Sequence, residues 1–252
     1  MRKTQRGFTL VEIAIVLVII GLLLGGILKG QELINSARVR NIADANSGIQ
    51  AAYFGFIDRY RAVPGDMKPS KAQNAIGQVV STDGESDANR GNGRLDGSNS
   101  TAEFNEASAL WEHLWKAGFL QGSYDGGATD VASYTGKAPI NPFNGTMVLF
   151  RTPDYMELSG AAPVVAATDR LNLALGRNIP VNIARELDVK VDDGRPFTGV
   201  LRLAATGSAQ VFGTLGAQSD GATACHGTQA DANANEFHIT LDAQDCNLVY
   251  LY

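Results

Sequence analysis

The sequence predicts an α+β fold: a long N-terminal helix, half of it membrane-spanning and half amphipathic, packed on a globular head with an antiparallel β-sheet. Three observations lead there. Residues 8–28 hold only two polar side chains, Thr9 and Glu12. Ile42, Ala45, Ile49, Ala52, Phe56 and Tyr60 recur at three- and four-residue spacing, which puts them on one face of a helix. Beyond residue 64 short apolar runs alternate with turn-forming glycine and aspartate, as short strands require. The expected divisions are a basic N-terminus of residues 1–7, a helix over residues 8–63 with its apolar segment at 8–28, and a head over residues 64–252.

The apolar segment comes first. At 1.5 Å per residue its helix spans roughly the 30 Å hydrocarbon core of a bilayer. Arg2, Lys3 and Arg6 precede it, whereas the far flank mixes Lys29, Arg38 and Arg40 with Glu32 and Asp44. The positive-inside rule then keeps the N-terminus in the cytoplasm and exports the remainder, giving a single pass through the membrane. A secretory signal peptide has a shorter apolar region and an Ala-x-Ala-like cleavage site, and neither is present. A plain anchor fits the length but leaves Glu12 unexplained, because an isolated acid in a span usually faces a partner and this span holds no cation.

The stretch "RGFTLVEIAIVLVIIGLLLGGIL" resembles the N-terminal signal of type IV pilins and type II secretion pseudopilins. The resemblance implies a leader of residues 1–7, a peptidase cut between Gly7 and Phe8, N-methylation of Phe8, and an assembly role for Glu12. In that family the acid neutralises the free amino terminus of a neighbouring subunit. The implied partners are a prepilin peptidase and methyltransferase, an inner-membrane assembly platform, the membrane before assembly, and further copies of the chain in a filament outside it. Gly21 with Gly25, and Gly26 with Gly30, form small-xxx-small pairs that let helices approach closely.

The helical pattern continues to Ala62 or Val63, where Pro64-Gly65-Asp66 cannot extend it. Tyr53, Phe54, Phe56 and Tyr60 are read as anchors of the helix on the head, in preference to a conducting stack between subunits. The segment "YFGFIDRYRAVPGDM" resembles one at the same place in a subgroup of pilin-like proteins. Residues 81–97 are rich in oxygen ligands, Asp83, Glu85, Asp87, Asn89, Asn92 and Asp96, a set that suits calcium, although no register completes an EF-hand; a solvated loop is the alternative. Ser100 and Glu103 form a capping box ahead of a helix that carries Ala107, Leu110, Trp111, Leu114 and Trp115 on one side and ends at Gly118.

Residues 146–150 and 155–159 read as a hairpin joined by residues 151–154, and residues 171–175 as another strand. A short helix around Val181 to Val189, a turn at Asp192-Asp193-Gly194 and a strand over residues 198–203 follow. That succession also resembles the pilin-like subgroup. The paired aspartates are read as turn formers with no positioned catalytic partner. The tail "CNLVYLY" alternates like a last strand.

Composition narrows the function. A net charge of −5, with lysine and arginine scattered along the chain, argues against a nucleic-acid partner. Cys225 and Cys246, the only cysteines, suit a disulfide closing a C-terminal loop in an oxidising compartment; two buried thiols are the alternative. By resemblance, that loop corresponds to the disulfide-bounded C-terminal region of type IV pilins. No Gly-x-Ser-x-Gly, His-Glu-x-x-His or phosphate-cradling loop is present. A structural subunit is therefore favoured over an anchored enzyme or receptor, and no cofactor is expected apart from calcium in the loop at 81–97. Pilus subunit and type II secretion pseudopilin both stay open.

Overall fold

The computed structural model describes residues 9–83, 85, 90–96, 104–128, 131–160, 162–205, 225–227, 235–241 and 243–252. The chain forms two compact units that meet between Arg40 and Asn41. Helix α1, Leu10–Tyr60, runs through both without a break; no proline interrupts its hydrogen-bond ladder. In the first unit the apolar side chains from Leu10 to Leu28 are exposed on every side of the helix.

The second unit, Asn41–Tyr252, has its own core. The last part of α1 buries Ile42, Ile49, Ala52 and Phe56 of the stripe expected from their spacing, while Ala45 and Tyr60 of that stripe are half-buried. Of the four aromatic residues, Tyr53 and Phe56 are buried but Phe54 is half exposed, because it lies on the opposite side of the helix. Helices α2, Pro69–Ile76, and α3, Phe104–Lys116, follow. Helix α3 buries the predicted Ala107, Leu110, Trp111 and Leu114, but also Glu106, Glu112 and His113, so it is covered almost all round. Trp111 is a core residue whose Nε1–H donates to Tyr134 Oη at 2.6 Å, and that hydroxyl donates to the Met147 carbonyl at 2.9 Å. Tyr134 closes the one-turn helix α4, Val131–Tyr134.

The strands are β1, Val148–Thr152; β2, Met156–Ser159; β3, Ala162–Val165; β4, Arg170–Ala174; β5, Leu201–Leu203; and β6, Leu248–Leu251. The predicted 146–150/155–159 hairpin does not form. Strand β1 pairs antiparallel with β4, Val148 opposite Ala174 and Thr152 opposite Arg170, while β2 pairs with β3 in a separate two-stranded ribbon. The reason is burial. Val148, Leu149 and Phe150 are covered on both faces, whereas β2 is half exposed throughout and carries Glu157, so pairing the two would bury a charge or expose the core. Pro153 between them also has no N–H to offer a ladder.

The four-stranded sheet has the order β1-β4-β6-β5. The last strand of the chain is thus interior to the sheet, consistent with complete burial of Leu248 and Val249. Tyr252 Oη donates to Asn46 Oδ1 on α1 at 2.7 Å. Helix α5, Val181–Val191, starts after Pro180 and ends at Asp192. Strand β5 is shorter than the predicted 198–203, because Gly199 takes a φ of 68° and turns the backbone ahead of it. Helices α2 and α4 and strand β3 had no counterpart in the sequence reading. The Ser100 and Glu103 capping box lies outside the described residues.

Where α1 ends, the turn at Gly65 docks on α3. Gly65 has a φ of 91°, and a Cβ there would lie 2.7 Å from Leu95 Cδ1 and 2.5 Å from the Glu106 carbonyl oxygen. Its N–H donates to His113 Nδ1 at 3.0 Å, which requires a neutral ring. Burial holds His113 well below its ordinary 6.5, at about 3, with Arg90 and Lys116 adding to the effect. Burial pushes the neighbouring Glu106 carboxyl up to about 8.

Two outcomes follow from this docking. Gly65→Ala should destabilise the protein by at least about 2 kcal/mol, from the left-handed backbone and the contact with α3 combined, as read by chemical denaturation. The two titrations have opposite signs. His113 contributes stability that is complete above 6.5 and lost as pH falls towards about 3; Glu106 contributes stability that is complete below 4.5 and lost as pH rises through about 8. Above pH 6.5 the Glu106 loss is unopposed by His113, so the melting temperature should fall from there to pH 8 in calcium-free buffer, and Glu106→Gln should reduce the fall.

Candidate functional site

Residues 9–30 form the segment on which the functional reading rests. Gly7 and Phe8 lie outside the described residues. The helix opens with a reciprocal capping box: Thr9 Oγ1 accepts the Glu12 N–H at 3.3 Å, and Glu12 Oε2 accepts the Thr9 N–H at 2.8 Å and the Thr9 hydroxyl at 2.9 Å. Thr-x-x-Glu before an apolar run is the signature of such a box, so Glu12 is a cap as well as a charge. Two helix-terminal donors are satisfied in this way, and the carboxylate lies at the positive end of the helix dipole. Both hydrogen bonds that Glu12 accepts go to Oε2, so among the described residues Oε1 has no partner.

From Leu10 onward the helix is long and apolar enough to cross a membrane, and none of that window is buried. A Cβ added at Gly21, Gly25, Gly26 or Gly30 would meet nothing within 4 Å, so all four glycines present open backbone. At the far end of the apolar stretch Lys29 pairs with Glu32 at 2.6 Å on the exposed surface.

The described acids of the loop at 81–97 make separate contacts. Asp87 and Asn89 lie outside the described residues. Glu85 accepts the Ser70 N–H at 2.8 Å and the Ser70 hydroxyl at 2.7 Å, capping α2, and these bonds hold its carboxyl below the ordinary 4.5. Asp83 accepts the Ser81 hydroxyl at 3.1 Å, and Asp96 accepts Asn92 Nδ2–H at 2.6 Å. Among the described residues these acids do not converge on one point. The loop is held instead by Asp66, whose carboxylate accepts the N–H groups of Gly91, Asn92 and Gly93 at 2.6, 3.1 and 2.9 Å. Asp66 had been read only as part of the helix-ending turn.

Cys225 and Cys246 form a disulfide, and both are buried. Cys246 exchanges backbone hydrogen bonds with Ile179, and the adjacent Asp245 takes a bidentate contact from Arg177 at 3.0 and 2.5 Å. The bridge therefore joins the C-terminal segment just before β6, and through it the start of α5.

Compared with known proteins, residues 2–28 match the family described as the prokaryotic N-terminal methylation motif. No curated protein and no solved structure matches the chain. For the second unit, whose architecture rests on its own interactions, reduction of the disulfide or Cys246→Ser should cost roughly 3 kcal/mol under the loop-closure account, measured as a drop in melting temperature that oxidised wild-type protein does not show.

Proposed function

We propose that this chain, whose N-terminus is a prepilin-type methylation signal of the kind shared by type IV pilins and type II secretion pseudopilins, is the precursor of a structural subunit of a type IV pilus-like extracellular filament. A prepilin peptidase removes residues 1–7 and Phe8 is N-methylated. The apolar helix holds the subunit in the inner membrane until an assembly platform transfers it into a filament of its own copies. One observation carries the reading: the methylation motif coincides with a helix that is exposed and apolar on every side from Leu10 to Leu28. Such a surface has two stable environments, lipid and other copies of itself.

The capping geometry supports a specific part for Glu12. A carboxylate in the hydrocarbon costs up to about 3 kcal/mol, the insertion-scale figure for the bilayer centre, and Glu12, near the end of the span, gains from a counter-ion in proportion to its depth. Cleavage creates one in the amino group of Phe8. Because Oε2 is engaged by Thr9, Oε1 can accept from the amine of a neighbouring subunit without opening the cap. Glu12 then acts as start of the helix and as register mark between subunits at once. The buried disulfide near the C-terminus favours the pilus over the secretion pseudopilus, since by resemblance it closes the C-terminal region of pilins.

Mass spectrometry of sheared filaments should find chains that begin at N-methylated Phe8. Glu12→Gln retains an acceptor for Thr9 and removes the charge; Glu12→Ala and Glu12→Leu remove both. All three should still be cleaved after Gly7, and all three should show a strong loss of filaments by negative-stain microscopy. Wild-type assembly by Glu12→Gln would show that the charge is not what matters. A mature N-terminus found only in membrane fractions, with no fibres, would favour the pseudopilin.

A further inference from the structure

The turn that follows α5 gathers three carboxylates. Asp188 lies in the last turn of the helix, and Asp192 and Asp193 follow it immediately. Each offers an oxygen, and those oxygens lie within 4.8 Å of one another. The sequence reading took Asp192 and Asp193 as turn formers, and part of that is visible: Asp193 Oδ1 accepts the Arg195 N–H at 2.9 Å and its Oδ2 accepts the Thr198 hydroxyl. Asp192 Oδ2 accepts the N–H of Val200 and, at 3.4 Å, that of Leu201. The turn uses only part of Asp188. It is fully buried; Oδ1 accepts the Gly194 N–H at 3.2 Å, and Oδ2, equally inaccessible, has no hydrogen-bond partner.

A buried carboxylate oxygen without a donor is costly, and its surroundings raise the cost. The charged neighbours that act on Asp188 are Asp192 and Asp193, both of its own sign. All three lie at the C-terminal end of a helix, where the dipole disfavours anions and favours cations. The one lysine of that last turn, Lys190, directs its ammonium to Glu186 at 2.6 Å. We propose that Asp188, Asp192 and Asp193 form a calcium site that fastens the end of α5 to the start of β5. Oxygen ligands on one calcium ion, bonded at about 2.4 Å each, stand at most about 4.8 Å apart, the span over which these oxygens are gathered. The set is hard, anionic and irregular, and all three members are already oriented by backbone N–H groups. That suits the variable coordination of calcium better than the strict octahedron of magnesium.

This site is independent of the assembly reading and is tested without filaments. Full-length protein in detergent, stripped of metal, is titrated with calcium chloride near pH 7.5 by calorimetry, and its melting temperature is followed in parallel. Wild-type protein should bind calcium and melt higher with it, and magnesium at the same concentration should raise the melting temperature less. Asp188→Asn and the exposed Asp193→Asn should each weaken binding by roughly tenfold or more, whereas Asp83→Asn combined with Asp96→Asn should leave it unchanged. If Asp188→Asn does not fold, Asp193→Asn, checked by circular dichroism, decides. Absence of heat and of any melting shift up to about 10 mM calcium, beyond the weak end of protein calcium sites, would overturn the proposal. Binding that survives in Asp193→Asn, or is lost only in the Asp83 and Asp96 variant, would overturn it too.

Discussion

A peptide group in hydrocarbon finds no water to bond with, and from Leu10 to Tyr60 the chain meets that constraint by bonding to itself without interruption. The same ladder then carries two different surfaces. From Leu10 to Leu28 the side chains, Glu12 apart, are apolar on every side; from Ile42 on they reduce to one buried stripe through Ile42, Ile49, Ala52 and Phe56. One secondary structure thus carries an apolar surface long enough to cross a membrane at one end and supplies a core face at the other. The cap at Thr9 and Glu12 completes it, because the first donors of a helix have no intrahelical acceptor.

The second unit has long stretches outside helices and strands, and buried acceptors fix them. Asp66 gathers the amides of residues 91–93. Glu112 accepts the Ser81 N–H at 2.9 and 3.1 Å. Glu106 takes the Asp96 N–H at 2.8 Å, and Asn141 Oδ1 takes those of Phe143 and Gly145. Each places a side-chain oxygen where a loop would otherwise bury an unpaired amide. Helix α3 supplies two of these acceptors as well as His113, which explains why it buries charged residues on a helix that pattern alone would leave half in water. Glu106 and His113 are held far from their ordinary ionisation, so the packing of this unit is coupled to pH.

Within the chain the Glu12 carboxylate satisfies a backbone amide through Oε2, and the subunit pairing proposed above would draw on the other oxygen. Local capping and subunit pairing need not compete, because a carboxylate has acceptor capacity for both. The acid cluster at the end of α5 presents the complementary case, in which the local turn uses most of the oxygens but not the buried one.

The sequence by itself determined whatever depends on near neighbours along the chain. The methylation signal, the length of the apolar run, the stripe on α1, the Trp111 side of α3 and the turn after α5 are written in spacings of a few residues, and such spacings decide helix faces and turns directly. Even there a local motif was overlooked, the Thr9 box, because Glu12 had already been given another meaning. Tertiary structure alone decided which strands pair. Strand β1 joins β4 rather than its neighbour β2, and β6 enters the middle of the sheet, because a strand goes where both of its faces are covered, and no local pattern states what will cover them. The same holds for Asp66 and Asp188. Their roles depend on amides and carboxylates brought to them by the fold, and on a burial that only the folded chain creates.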